Sequence, residues 1–195
     1  MTRMTVPAQP QNNTPPGADA EMRSLLLGAI PALRAFAYSL TYDLDRSDDL
    51  VQDTLVKAWV KADSFQHGTN LTAWLFTILR NAFYSELRKR KREVGDADGV
   101  MAGKLTSLPA QEVSLELREF HEALDLLPSS QREALVLVGA QAFTYEEAAE
   151  ICGVAVGTVK SRVSRARLRL TKALGMNGVD EIGADAATRA ALGPV

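Results

Sequence analysis

Apolar residues recur every three or four positions through most of the chain. In the first such run Leu26, Ile30, Leu33, Ala37 and Leu40 fall on one stripe, which predicts an amphipathic helix. Pro31 lies inside that run and predicts a kink, or a helix that starts there. A second helix is predicted from the acids Asp45 to Asp49, which suit a helix amino end, and it carries Leu50, Leu55, Ala58 and Trp59. Phe65 to Asn70 (FQHGTN) reads as a loop, with Asn70 placed to cap a long helix beginning LTAWLFTILRNAFYSELRKR. Gly95, Gly99, Gly103 and Pro109 mark a polar linker that would span about 25 Å as a flexible coil. Beyond it Val113, Leu117, Phe120, Leu124 and Leu127 share one helical face, Pro128 breaks the pattern, and a helix around Gln131 to Gly139 leads into a tight helical pair. No period-2 run of strand length stands out. The predicted fold class is all-α: two small helical domains joined by a flexible linker, the second containing a helix-turn-helix. The expected boundaries are a disordered tail over 1–20, a first domain over 21–92, the linker over 93–111, the second domain over 112–175 and a tail over 176–195.

The tight pair has its own punctuation. Thr144 and Glu147 have capping-box spacing at the start of a helix running to Cys152. Gly153 then supplies the left-handed residue a sharp turn needs, and Ala149 is small enough for a second helix to cross closely. In that second helix Val159, Val163, Ala166 and Leu170 converge on one stripe that must face a core. Thr158, Ser161, Ser164 and Arg165 then point away from it, with Lys160, Arg162, Arg167 and Arg169 on the flanks. Such a helix fits a DNA major groove, where Arg165 and the hydroxyls reach base edges and the flanking cations grip phosphates. A solvated basic surface helix is the plainer alternative, and outward Leu168 is a feature that a pure DNA face leaves unexplained.

On the long helix from Leu71, the positions Leu71, Leu75, Ile78, Leu79 and Ala82 share one side and Thr77, Arg80, Asn81, Tyr84 and Arg88 the other. An aromatic ring between two cations suits single-stranded DNA, because bases stack on the ring, at roughly 1–3 kcal/mol per base, while guanidinium groups neutralise the backbone. A buried Tyr84 with a solvated arginine fringe is the alternative, and the first reading requires that the Tyr84 hydroxyl and its guanidinium neighbours are not sealed within the apolar core. Trp74 is expected in the core, near a loop where it could border a pocket for an extruded base. Asp48, Asp49, Gln52 and Asp53 cluster without a histidine, a metal set or a phosphate cradle, which favours a protein-docking surface over acid–base chemistry.

Charge sharpens this picture. The net charge is only -2, yet the stretch from Arg80 to Arg92 carries +5, Thr158 to Lys172 holds six bases and no acid, and Glu112 to Glu150 carries -7. Two basic patches on an acidic body predict two separate polyanion contacts. With 46% hydrophobic and 24% charged residues among 195, the chain reads as globular. No run of about 20 apolar residues stands out and the opening MTRMTVPAQPQNNTPPG has no apolar core, so the expected location is cytoplasmic and away from membranes. Cys152 is the one cysteine and His67 and His121 are the two histidines, so no disulfide, no metal site, no cofactor and no catalytic residue is expected.

Three segments together resemble a known family: DDLVQDTLVKAW, then NLTAWLFTILRNAFYSELRKRKR, then LPSSQREALVLVGAQAFTYEEAAEICGVAVGTVKSRVSRARLRL. They are similar, in order and spacing from about Leu25 to Leu174, to the two shared regions of extracytoplasmic-function sigma factors of bacterial RNA polymerase. The resemblance implies a non-catalytic subunit whose first domain binds polymerase and opens the minus-ten element and whose second reads the minus-thirty-five element. It places Asp49, Gln52 and Asp53 against the clamp helices of the beta-prime subunit, and implies that the second domain meets the beta flap. It places Arg80, Asn81, Tyr84 and Arg88, with the Phe65 to Asn70 loop, in the melting segment, and Thr158, Lys160, Ser161, Arg162 and Arg165 on the recognition helix. FYSELRKRKREVGDADG resembles the alphaproteobacterial general stress response branch, which implies stress-response promoters and a small anti-sigma protein as partner. Two alternatives stay open: a sigma-like decoy that binds only an anti-sigma protein, and a helix-turn-helix repressor or activator that binds duplex DNA without polymerase.

Overall fold

The computed structural model describes residues 18–66, 68–93 and 115–175, with backbone only for 18–21, 91, 93 and 115–118. Most of the predicted linker and both tails, with His67, Val113 and the Leu117 side chain, lie outside the described residues. All described elements are helical: α1 (Ala18–Thr41), α2 (Leu44–Val60), a 3-10 turn (Ala62–Ser64), α3 (Leu71–Glu93), α4 (Leu115–Asp125), α5 (Ser129–Leu135) widening into a π-helical turn (Val136–Ala140), α6 (Tyr145–Cys152) and α7 (Val156–Ala173).

α1 continues unbroken through Pro31, which sits on the exposed side, where water can take up the carbonyl that proline leaves without a donor. Twenty residues of α1, Met22–Thr41, are apolar enough to span a bilayer by composition, but half of that stretch is buried inside the fold. Tyr42 turns the chain at a left-handed φ of 52°, and Asp43 then caps α2, accepting a hydrogen bond from the Arg46 amide at 3.0 Å. A buried hydroxyl pair, Thr41 and Ser47 at 2.7 Å, ties the two helices together at this corner. α1, α2 and α3 close around Leu33, Phe36, Leu50, Val51, Leu75, Phe76 and Leu79, with the Phe36 and Phe76 rings stacked at 4.9 Å.

The second unit packs α4 to α7 around Leu124, Leu135, Leu137, Ile151 and the predicted α7 stripe of Val159, Val163, Ala166 and Leu170. Thr144 and Glu147 form the predicted capping box, and Gly153 ends α6 in the left-handed conformation at φ 64°. The two units do not hang apart on their linker. Phe143 meets Phe76 edge to face at 5.0 Å, Tyr38 meets His121 at 6.4 Å, and the Arg132 guanidinium lies 4.5 Å above the Tyr42 ring, so one apolar core continues from one unit into the other. The burial of these side chains favours the closed arrangement over two solvated modules.

Candidate nucleic-acid and polymerase interface

α3 packs against α1 and α2 of its own unit and against α6 of the other. Asn70 caps it as expected, accepting from the Ala73 amide at 3.1 Å, and the same side chain donates to Glu147 of the α6 capping box at 2.8 Å, so two helix amino ends meet across the units. Leu75 and Leu79 are buried as predicted, and Phe76 and Phe83 are buried beside them. Thr77 turns its hydroxyl back to the Ala73 carbonyl at 2.9 Å. Trp74 is half-buried, its ring 5.3 Å from that of Phe65 in the preceding loop.

Of the four candidate strand-opening residues, Asn81 and Arg88 are exposed, whereas Arg80 and Tyr84 are half-buried against the second unit. Arg80 Nε donates to Glu133 Oε1 at 2.6 Å, Tyr84 Oη donates to Glu133 Oε2 at 3.3 Å, and the Arg80 guanidinium sits 4.7 Å from the Tyr84 ring centroid. The tyrosine hydroxyl therefore ends on a carboxylate, while its ring packs against the edge of the apolar core. Glu133 itself is fully buried in α5. Burial pushes its carboxyl above the ordinary glutamate range, opposed by the Arg80 guanidinium, the Tyr84 hydroxyl and the charge of Arg162. Burial also pushes the Tyr84 phenol up to about 12, with the nearby Glu133 charge acting in the same direction. Cys152 lies in the same cluster, its thiol raised to about 12 by burial and then by Glu133, with Arg80 opposing.

Along α7 the side away from the buried stripe is largely open. Lys160, Ser164, Arg165, Leu168 and Arg169 are exposed, and Thr158, Ser161, Arg162 and Arg167 are half-buried. Ser161 donates to the Thr158 carbonyl at 2.9 Å, and Lys160 Nζ lies 5.6 Å from the Tyr145 ring centroid. Arg162 has one guanidinium nitrogen buried without a hydrogen-bond partner, and its charge acts on Glu133.

On α2, Asp49, Gln52 and Asp53 are exposed together, and Asp53 pairs loosely with Lys57 at 3.5 Å. Spacings of three and four continue this stripe through Val56 and Val60, both more than half exposed. Trp59, named with Leu50, Leu55 and Ala58 among the apolar residues of this helix, is 51% exposed beside them. A polar patch running into bare valine and tryptophan is the composition of a protein-docking surface. The sequence reading missed this apolar continuation, and it missed Glu133, whose place in an otherwise apolar run, EALVLVGA, was the available signal.

Comparison with known proteins agrees with this geometry. Residues 28–93 match the family model for sigma-70 region 2 and residues 117–170 that for sigma-70 region 4. A curated relative, the ECF RNA polymerase sigma factor EcfG of Rhodopseudomonas palustris, is 58% identical over 172 residues, covering 88% of this chain and 95% of its own. The solved structure of the sigma factor RpoE in complex with the anti-sigma factor NepR, from Bartonella quintana, superposes with a TM-score of 0.74 at 57% identity, over 81% of this chain and 99% of that one. CnrH in complex with the cytosolic domain of CnrY matches at a TM-score of 0.62 and 28% identity, over 83% and 92% of the two chains. With both sigma-70 regions matched in this order and these relatives beside it, the chain belongs to the extracytoplasmic-function sigma factors, the subunits that direct RNA polymerase to promoters.

Proposed function

We propose that the two cationic helices divide promoter recognition between them, α3 capturing the parted strands of the minus-ten element and α7 reading the intact minus-thirty-five duplex. The observation that carries this is the outward face of α7, where Arg165, Ser164 and Lys160 stand exposed above a buried apolar stripe and no acid interrupts the cations. Arg165 and Ser161 would meet base edges, while Lys160, Arg162 and Thr158 would fix register on phosphates. On α3 the Tyr84 ring would take a stacked base, with Arg80, Asn81 and Arg88 along the backbone. Asp49, Gln52 and Asp53, continued by Val56 and Val60, would dock on the polymerase beta-prime clamp helices and the second unit on the beta flap. A cytoplasmic place and a set of stress-response promoters follow from the resemblance of FYSELRKRKREVGDADG to the alphaproteobacterial general stress response branch, and an anti-sigma partner is supported by the NepR and CnrY complexes of the two solved relatives.

Two modest basic patches on a chain of net charge -2 leave little affinity for free DNA. Polymerase supplies the rest by holding both units at promoter spacing, which raises their effective concentration on one site. The test is reconstitution with core polymerase. Initiation at a cognate promoter, with weak promoter binding by the chain alone, is expected. Tight duplex binding with no effect on polymerase would identify a repressor, and binding only to an anti-sigma protein would identify a decoy.

A further inference from the structure

Glu133 is a fully buried carboxylate on α5 that the promoter contacts do not use, and three of the residues assigned to DNA converge on it. Arg80 and Tyr84 of α3 hydrogen-bond its two oxygens, at 2.6 and 3.3 Å, and Arg162 of α7 acts on it electrostatically. One cationic residue from each DNA-facing helix and the stacking tyrosine are thus served by a single internal anion. A phosphate would offer the same groups the same thing: oxygen acceptors carrying negative charge. We propose that Glu133 is an intramolecular stand-in for the promoter backbone, latching the two units shut so that the free chain presents neither Arg80 nor Tyr84 to DNA until α3 and α5 separate. This rests on the assignment of Arg80 and Tyr84 to strand capture.

The latch does not act alone. Phe76 and Phe143, Asn70 and Glu147, and Tyr42 with Arg132 close the same seam on either side of it. Those contacts hold the units together, while Glu133 occupies the DNA-binding groups. The latch is self-limiting in a useful way: opening leaves Arg80 and Tyr84 without a partner at the moment polymerase brings DNA to them. A buried ion pair of this kind is expensive to leave half-made, so opening and strand capture are coupled.

Glu133→Gln tests this, because the amide keeps the shape and removes the charge. Cys152, the one cysteine, is 3% exposed and sits beside Arg80 at the seam, so its rate of maleimide labelling reports opening without any added probe. In the variant, labelling is expected to accelerate roughly tenfold, and the free chain's affinity for a single-stranded minus-ten oligonucleotide to rise by a similar factor. Promoter opening by the variant bound to core polymerase should match the wild type, since the latch is already released there. Unchanged labelling and unchanged oligonucleotide affinity would overturn the proposal, and so would faster labelling without tighter binding, because the seam would then open without freeing the DNA groups. If the variant does not fold, the wild-type chain decides the matter. Dyes on Asp45→Cys and Lys172→Cys, exposed positions on α2 and α7, should report one short distance in the free chain and a longer one with core polymerase. An identical distance in both would overturn the proposal. A failure of the strand-capture assignment shows elsewhere, as normal promoter opening by Tyr84→Ala in the holoenzyme.

Discussion

Tyr84 carries two separable groups, and substituting each alone distinguishes what the ring does from what the hydroxyl does. The hydroxyl lies 3.3 Å from Glu133 Oε2, longer than the usual O–H···O separation, so its loss in Tyr84→Phe should cost the closed form no more than about 1 kcal/mol. The ring, in the proposed role, supplies roughly 1–3 kcal/mol to a stacked base, and Tyr84→Ala should therefore lower the open-complex population between about fivefold and 150-fold. Both variants should form holoenzyme normally, because Tyr84 lies on α3 and the proposed polymerase stripe is on α2. Permanganate reactivity of unpaired thymines, read at equal holoenzyme concentration, measures the effect. Tyr84→Phe is expected to open a cognate promoter within about twofold of the wild type and Tyr84→Ala to fail. Two results would refute the reasoning: equal loss in both variants, which would assign the effect to the hydroxyl, or normal opening by Tyr84→Ala, which would leave the ring no role.

Arg165→Ala should relax discrimination at one upstream base position and cost about 1–3 kcal/mol if the guanidinium contact is bidentate, measured by competition between promoters with single substitutions in that element. Gly153→Ala tests the turn of the helix-turn-helix. A Cβ built there meets nothing within 4 Å, so the cost is the left-handed backbone alone, about 1 kcal/mol in urea unfolding, and a loss above about 3 kcal/mol would mean that space rather than conformation constrains the site. Acid should destabilise the fold. The Thr144 amide and then Asn70 hold the Glu147 carboxyl below the ordinary range, and Arg34 does the same for Asp48, so their contributions are complete above the unfolded carboxylate values near 4 and are lost as pH falls through the lowered folded ones. Glu133, raised by burial, works in the opposite sense, its penalty easing as pH falls. Glu147→Gln should accordingly lower the urea midpoint at neutral pH and flatten its fall between about pH 5 and pH 3.

The helix-turn-helix was legible because its signals are local. Capping-box spacing, a glycine after Cys152 and four apolar residues at a helical period are decided within a few turns of chain, and the structure places Thr144, Gly153 and Val159 to Leu170 as that spacing implies. α3 was half legible. One buried stripe was expected, but this helix packs between α1 and α2 on one side and α6 on another, so Phe76 and Phe83 are buried besides Leu75 and Leu79, and its cationic side is partly covered. Trp59 was grouped with Leu50, Leu55 and Ala58 by its apolar character alone, whereas its angular position belongs with Val56 and Val60. Glu133 was hidden for a different reason. Its partners lie 53 and 49 residues away, across the linker, and in sequence it counted only as one carboxylate of an acidic segment. Closure of the two units depends on such distant pairs, which periodicity does not register.

The central claim is that one chain reads two DNA elements at a separation fixed by polymerase. Mapping, at base resolution, the 5′ ends of transcripts made from fragmented genomic DNA by core polymerase reconstituted with this chain tests it most directly. The start sites should share two sequence blocks, one upstream and one next to the melted region, at constant spacing, and the upstream block alone should degrade with Arg165→Ala. Start sites no different from those of core polymerase alone, or sharing only a single block, would contradict the account.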